Sequence, residues 1–411
     1  MAEFIMAQAN GRVVPKEDKN FGISNRAKAM MAEVGEDKVI NATIGTLMDD
    51  DGKLIVLSSV DKVFKSLAPD DYAAYAPIRG LEGFREAAKK AALGSYEPKG
   101  FVEAAATPGG TGSLRNTVSI YSQPGDKILT TDWHWGPYKT ISTEIGRDVA
   151  TFELFNADRK FNIDSFKEVS SNLLANQDSL VIILNTPAHN PTGYSLTNED
   201  WDNVVAVLTE EAAMGKPIVL LVDAAYIDFA GDEEEYRSFL PKLETMPENV
   251  LPIIAYSMSK TYTLYGARCG AMICLAKTQA IAEEFKQIVE FASRGTWSNG
   301  TRFAQTILTK IYADEELLAK VSEERAYYRD MLLARGHGFE EEAAKVGLEI
   351  VPFDAGFFVS IPCDDPDAVC AKLEKEGVFL IPMGKGIRVS VASISEAACR
   401  KLPAIIKAAM A

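Results

Sequence analysis

Two stretches of this chain, Ser-Leu-Val-Ile-Ile-Leu-Asn at 179–185 and Pro-Ile-Val-Leu-Leu-Val-Asp at 217–223, leave few folds open to it. Each is a continuous aliphatic run, far too short to span a membrane. Neither shows the alternation of a strand with one wet face, so both read as strands covered on two sides. Runs of this kind recur, separated by amphipathic or polar stretches, at 101–106, 127–131, 149–155, 179–185, 218–223, 252–257 and 270–275. Strands that alternate with helices imply βαβ units and a mostly parallel sheet of the α/β class.

Beyond the last of these runs the texture changes. Residues 278–335 are rich in Ala, Glu, Lys and Leu and read as one long helical stretch. The tail returns to an α+β pattern, with strands expected at 348–353, 356–361 and 386–392 and helices at 365–377 and 395–410. A chain of 411 residues is too long for a single small core. We therefore expect an N-terminal arm and part of a small domain over 1–55, a large domain over 56–315, and the rest of the small domain over 316–411. Within the arm, residues 1–35 are expected to form an extended piece and a short helix.

Charge and composition remove several classes of function. With 43 Lys and Arg against 58 Asp and Glu, the net charge is −15. Nucleic acid and anionic membrane are poor partners for such a surface, since phosphate contacts need clustered basic residues. The five cysteines (Cys269, Cys274, Cys363, Cys370, Cys399) form no Cys-x-x-Cys pair, and there are only three histidines, His134, His189 and His337. No metal site is expected from them, and reduced structural thiols are the plain reading. The N-terminus carries Glu3 and no basic, apolar, cleavable stretch, and no apolar run nears the ~18 residues of a span. A cytoplasmic protein is the expectation.

Four motifs carry chemistry. Thr-Pro-Gly-Gly-Thr-Gly-Ser-Leu-Arg at 107–115 follows a strand and opens a helix, where glycines let backbone N–H groups approach a phosphate. By itself such a turn is equally well a plain one. Asn-Thr-Pro-Ala-His-Asn-Pro-Thr-Gly at 185–193 forces a rigid irregular loop at a strand's carboxyl end, the edge where open α/β sheets bind ligands. That loop would aim Asn190 into the crevice, or simply reverse the chain. Val-Asp-Ala-Ala-Tyr at 222–226 ends a buried strand on a carboxylate, which is costly unless paired, so Asp223 wants a cationic partner or caps the next helix. Ser-Met-Ser-Lys at 257–260 sets a lysine beside two hydroxyls at a strand end, with Arg268 following. A lysine there is a Schiff-base nucleophile if its pKa is depressed, and otherwise a solvated side chain.

In order and spacing these motifs resemble the class I aminotransferases of the fold-type-I pyridoxal-phosphate family, specifically the aspartate/aromatic branch. The resemblance runs from Ile-Asn-Ala-Thr-Ile-Gly at 40–45 to Arg-Val-Ser-Val-Ala at 388–392. It implies a seven-stranded, mostly parallel sheet flanked by helices, plus a smaller α+β domain. It also implies an enzyme that moves an amino group from an aspartate, glutamate or aromatic L-amino acid to a 2-oxo acid. By resemblance, Lys260 holds the cofactor covalently and moves the proton at the substrate Cα. Asp223 pairs with the protonated pyridine nitrogen, and Asn190 and Tyr226 hold the ring's 3-hydroxyl oxygen. Gly109, Gly110, Thr111, Ser257, Ser259 and Arg268 take the phosphate. Trp135 stacks on the ring, with Trp133 the competing candidate. Arg388 takes the substrate α-carboxylate beside Gly45.

Two further matches imply a homodimer with a shared site. Tyr75, in Tyr-Ala-Pro-Ile-Arg-Gly at 75–80, corresponds to a tyrosine that reaches the neighbouring subunit's phosphate. Arg294, in Arg-Gly-Thr-Trp-Ser-Asn at 294–299, corresponds to an arginine donated to the distal carboxylate of dicarboxylic substrates, in a pocket lined by Trp135, Trp297 and Phe358. The chain departs from the family pattern in three places: Gly109 stands where a serine is usual, Trp297 where a tyrosine is, and Asp-Trp-His precedes Trp135. The first removes a phosphate contact, and the others bear on substrate choice. A lyase or decarboxylase on the same fold, or a cofactor-binding regulatory domain, are the alternative readings.

Overall fold

The computed structural model of the chain describes residues 4–9, 11–15 and 17–411. Glu3 and part of the expected N-terminal arm lie outside the described residues. The chain divides into two compact units, one of Val56–Pro187 and Leu196–Ala326, the other of Met1–Ile55, Ala188–Ser195 and Tyr327–Ala411. The division differs from the expected one in two places. The boundary expected after 315 falls after 326, inside the helix Glu315–Lys345, whose residues 316–335 contain no glycine or proline to interrupt it. The loop 188–195 goes with the terminal segments, because Asp354 and Ala355 donate to Gly193 O, Ser195 N donates to Asp354 Oδ2 at 2.7 Å, and Ser360 Oγ donates to Pro191 O at 2.9 Å.

The 56–326 unit is built on a seven-stranded sheet. Its strands are β1 (Phe101–Thr107), β2 (Lys127–Thr131), β3 (Asp148–Phe152), β4 (Leu180–Asn185), β5 (Ile218–Asp223), β6 (Val250–Ser257) and β7 (Gly270–Ala276). They lie in the order β1-β7-β6-β5-β4-β2-β3, with β7 antiparallel to both neighbours and every other pairing parallel. All seven stand where the apolar runs predicted them. Every residue of β4 and β5 is buried, which is why neither run alternates. One face, including Val181, Ile183, Val219, Leu221 and Ile253, packs with Leu114 and Val118 of the helix Gly109–Tyr121 and Phe285 and Val289 of the helix Gln279–Thr296. Each such fully buried aliphatic contributes roughly 1.5–3 kcal/mol. β3 stops at Phe152 rather than 155, since Ser165 Oγ and Asp132 Oδ1 accept the next two N–H groups, of Glu153 and Leu154.

Register decides what the sheet can present. Asn185 pairs with Asp223 and Asp223 with Ala255, while Gly270 pairs with Ser257 on one side and Thr107 on the other. The carboxyl ends of β1, β4, β5 and β6 and the amino end of β7 therefore share one edge. Gly270 makes that packing possible. A Cβ there would lie 2.5 Å from Tyr256 O, 2.7 Å from Gly109 C and 2.9 Å from Gly110 N, all backbone atoms.

The helical stretch expected over 278–335 is three helices, Gln279–Thr296, Arg302–Tyr312 and Glu315–Lys345. Ser298 takes a left-handed conformation (φ +67°) that ends the first ladder. Asp314 caps the third helix, accepting from Leu317 N at 3.0 Å.

The other unit holds an antiparallel sheet of β8 (Phe358–Pro362), β9 (Ile381–Met383) and β10 (Gly386–Ser390), in the order β9-β10-β8, and a short parallel pairing of Ile40–Asn41 with Val378–Phe379. Helices Lys19–Val34, Pro366–Lys375 and Glu396–Met410 belong to it. The expected strand at 348–353 does not form. Val351 N donates to Ser360 O, but Pro352 has no N–H to continue a ladder, and Leu348, Ile350 and Phe353 bury themselves in this unit's core instead. The third tail strand is also shorter than its apolar run, turning into a 3-10 helix at Val391–Ser393.

Gly270→Ala tests the edge directly. No neighbouring side chain can yield, so overpacking of about 1–3 kcal/mol or more is expected. Gly266→Ala, which meets nothing within 4 Å, is the control. Thermal unfolding should show a clear loss for the first and little change for the second.

Candidate active site

The edge is first occupied by the turn from β1 into the helix Gly109–Tyr121. Gly109 has φ +67°, a conformation glycine adopts without strain. The helix's first N–H groups, at Gly109, Gly110 and Thr111, precede the helical bonding pattern and carry the positive end of the helix dipole. The Thr107 hydroxyl fixes the turn, donating to Gly109 O at 2.9 Å and lying 3.0 Å from Ser113 Oγ. Across from it, Arg268, itself left-handed at φ +49°, donates to Ser259 Oγ at 3.3 Å and Tyr265 O at 3.0 Å. A Cβ on Gly109 would meet Arg268 Nη2 at 2.7 Å, and one on Gly110 would meet Ser257 Cβ at 3.5 Å. Backbone N–H groups, two serine hydroxyls and a guanidinium thus converge on one place, a donor set suited to an oxyanion such as phosphate. Gly109 acquires a reason here: the Arg268 guanidinium fills the space a serine would need.

Asp223 ends β5 with 5% of its surface exposed. Burial pushes its carboxyl above the usual range, while Tyr138, Lys260 and the Ala225 N–H oppose the rise. Tyr138 Oη donates to Asp223 Oδ2 at 2.7 Å. The partner sought for this carboxylate is therefore a buried phenol together with the field of Lys260, and the cap of the following turn is present as well. Lys260 sits in the short turn Met258–Thr261, its Nζ 5.1 Å from the Tyr226 ring centre. Burial lowers its pKa to about 8, with Asp223 resisting and Arg268 assisting. Ser257 Oγ caps this turn, accepting from Ser259 N at 3.3 Å. A lysine that is partly free amine near neutrality is a nucleophile and a base.

Trp135 joins the group through Tyr138, the two rings meeting edge-to-face at 5.7 Å. Trp133, the competing candidate, is buried. Among the described residues, no hydrogen bond or ion pair brings Tyr75 or Arg294 to Lys260. Tyr75 is 88% exposed, and Arg294 is exposed with Nη1 donating to Ser298 Oγ at 2.7 Å. The same surface ties them together. Asn299 Nδ2 donates to Ala76 O at 2.7 Å, Ser298 Oγ donates to Asn299 Oδ1 at 3.0 Å, and Arg302 Nη1 donates to Tyr75 O at 3.0 Å.

The second unit carries its own constellation. Arg388, on β10, is buried and donates to Thr43 O at 2.8 Å and Asn190 Oδ1 at 3.2 Å. Its guanidinium lies 4.4 Å from the Phe358 ring centre, and a Cβ on Gly45 would fall 2.3 Å from Phe358 Cζ. Gly45 thus admits the ring on which Arg388 rests.

Sequence reasoning missed Tyr138. The only signal was a tyrosine three residues after Trp135, with a strand-end carboxylate elsewhere in need of a donor.

The family model for aminotransferase class I and II matches residues 37–406. The mitochondrial aspartate aminotransferase of Schizosaccharomyces pombe is 30% identical over 314 residues, 74% of this chain and 69% of that protein. The aromatic-amino-acid aminotransferase of Pseudomonas aeruginosa is 26% identical over 363 residues, 83% of this chain and 86% of that one. Among solved structures, an aminotransferase from Anaerococcus prevotii superposes with a TM-score of 0.94 at 38% identity, covering 97% of this chain and 98% of its own.

The anion cradle can be tested with inorganic phosphate alone. Gly109→Ser adds a hydroxyl but strains the backbone by about 1–3 kcal/mol and displaces Arg268. Calorimetry should show weaker phosphate binding than in the wild type. Tighter binding would show that the added hydroxyl outweighs the guanidinium.

Proposed function

The chain belongs to the class I and II aminotransferases and is an enzyme of amino-group transfer, and from that premise we propose that it moves the amino group of an aspartate, glutamate or aromatic L-amino acid to a 2-oxo acid, using pyridoxal 5′-phosphate bound at Lys260. The observation that carries this reading is a lysine with a pKa of about 8 in the field of a buried carboxylate, on the same sheet edge as an oxyanion cradle. The match to an aminotransferase family favours transfer over the lyase and regulatory alternatives.

The residues fit the cofactor. Gly109, Gly110, Thr111, Ser257, Ser259 and Arg268 would take its phosphate, Asp223 its ring nitrogen, Tyr226 and Asn190 its ring oxygen, and Trp135 its face. Bound there, pyridoxal phosphate supplies an aldehyde that captures amines and an electron-accepting ring that acidifies the substrate Cα–H. Lys260 Nζ, as free amine, removes that proton and redelivers it as general acid. Asp223 supplies a fixed negative charge whose position the Tyr138 hydrogen bond maintains. Arg388 binds the α-carboxylate as a two-pronged donor. Tyr75 and Arg294, both exposed in the single chain, serve the neighbouring subunit of a cytoplasmic homodimer, Arg294 by pairing with a distal carboxylate.

Two outcomes follow. The free-amine fraction of Lys260 grows as pH rises through about 8. Recombination of cofactor-free enzyme with pyridoxal phosphate, followed by stopped-flow absorbance, should therefore accelerate from neutrality and level off just above that pH. An ordinary lysine would still be accelerating near pH ~10. For substrate choice, losing a desolvated charge pairing costs about 2–5 kcal/mol, so Arg294→Ala should lower kcat/KM for aspartate and glutamate roughly 30- to several-thousand-fold. Phenylalanine and tyrosine should change far less, and Arg388→Ala should harm all four alike. Equal losses for aspartate and phenylalanine in Arg294→Ala would refute the selective role.

A further inference from the structure

Two residues beyond Tyr226, Asp228 lies in a 3-10 turn, Ile227–Phe229, with its side chain 6% exposed. Its two oxygens have separate duties. Oδ1 is 2.7 Å from Arg237 Nη2 and 3.5 Å from Arg325 Nη1, and Oδ2 accepts from Thr261 Oγ1 at 2.8 Å. Thr261 is the residue after Lys260. Each guanidinium is tied further back. Arg237 donates to Ala91 O at 3.0 Å and Ala92 O at 3.2 Å, carbonyls in the last turn of the helix Glu82–Leu93. Arg325 donates to Ser322 Oγ at 3.1 Å and lies 5.7 Å from the Tyr262 ring centre. We propose that Asp228 is a positioning residue that, anchored by Arg237 and Arg325, holds the Lys260 turn against the Tyr226 segment through Thr261.

The arrangement is costly as mere structure. Two cations and one anion are taken out of water, and well-packed apolar residues commonly serve stability as well as a buried ion cluster does. What apolar packing cannot provide is a directed bond between two separate turns, one following β5 and one following β6. Burial pushes the Asp228 carboxyl upward, but the two arginines overcome it and hold the group below the usual range. It therefore stays an acceptor throughout the neutral range, and the Thr261 hydroxyl, buried with it, has a fixed target. The result is a set distance between Lys260 Nζ and the Tyr226 ring.

This inference rests on the role proposed for Lys260, and its test separates the two. Cofactor-free enzyme is labelled with an amine-reactive anhydride from about pH 6 to 11, and the modification of Lys260 is quantified by peptide mapping. The wild-type midpoint is expected near 8. Thr261→Val keeps the shape and removes the donor. Its midpoint should rise toward that of an ordinary lysine, about 10.4, as the loosened turn admits water. Amino transfer by the cofactor-loaded variant should lose roughly 10- to 100-fold in kcat, the scale of an ~1 Å misplacement. Thr261→Ser should restore both. Any other pattern, above all a lowered melting temperature with midpoint and kcat unchanged, overturns the positioning role. Failure of the Lys260 role would instead appear as undiminished amino transfer in Lys260→Ala, whatever Thr261 does.

Discussion

Everything chemical in the large unit depends on one packing constraint, the absence of a side chain at Gly270. That residue pairs with Thr107 on one flank and Ser257 on the other, and three backbone atoms occupy the space its Cβ would need. Because β7 fits between β1 and β6 at this distance, the glycine turn after β1 and the serine turn after β6 approach closely enough for Arg268 to fill the gap over Gly109. β5 then sets Asp223 beside Ala255, two residues short of Ser257. Register therefore brings an anion cradle, a carboxylate and a lysine to one edge, and no side chain has to reach far.

The second consequence is electrostatic. Burial works against both charges in the pair, raising Asp223 and lowering Lys260, while their mutual attraction works the other way. For Lys260 the outcome is an amine that begins to lose its proton near neutrality. Tyr138 opposes the effect of burial on Asp223, whereas Arg268 adds to the effect of burial on Lys260. The Asp228 carboxylate, held below the usual range by its two arginines, stays ionised across the range in which Lys260 titrates.

The central sheet was legible because burial on both faces leaves continuous apolar runs, and helices between parallel strands leave few other topologies. The errors came where apolar content and hydrogen bonding part company. Residues 348–353 are apolar because they bury, yet Pro352 denies them a ladder, and the helical stretch after 278 breaks at Ser298 and Asp314, residues of no conspicuous composition. At the site, short motifs revealed the residues on strand ends, since their spacing is local. Tyr138 and Asp228 were not visible in this way, because their partners lie 85 and 33 residues away in sequence. Gly109, expected to cost a phosphate contact, takes its meaning only from the position of Arg268.

The central claim is that Lys260 is the lysine that holds the cofactor. The most direct measurement is to reduce the cofactor-loaded enzyme with borohydride and map the labelled peptide by mass spectrometry. The account predicts a single modified residue, Lys260, and no covalent label in Lys260→Ala even though its anion cradle remains intact. Label on another lysine, or unchanged labelling in Lys260→Ala, would contradict it.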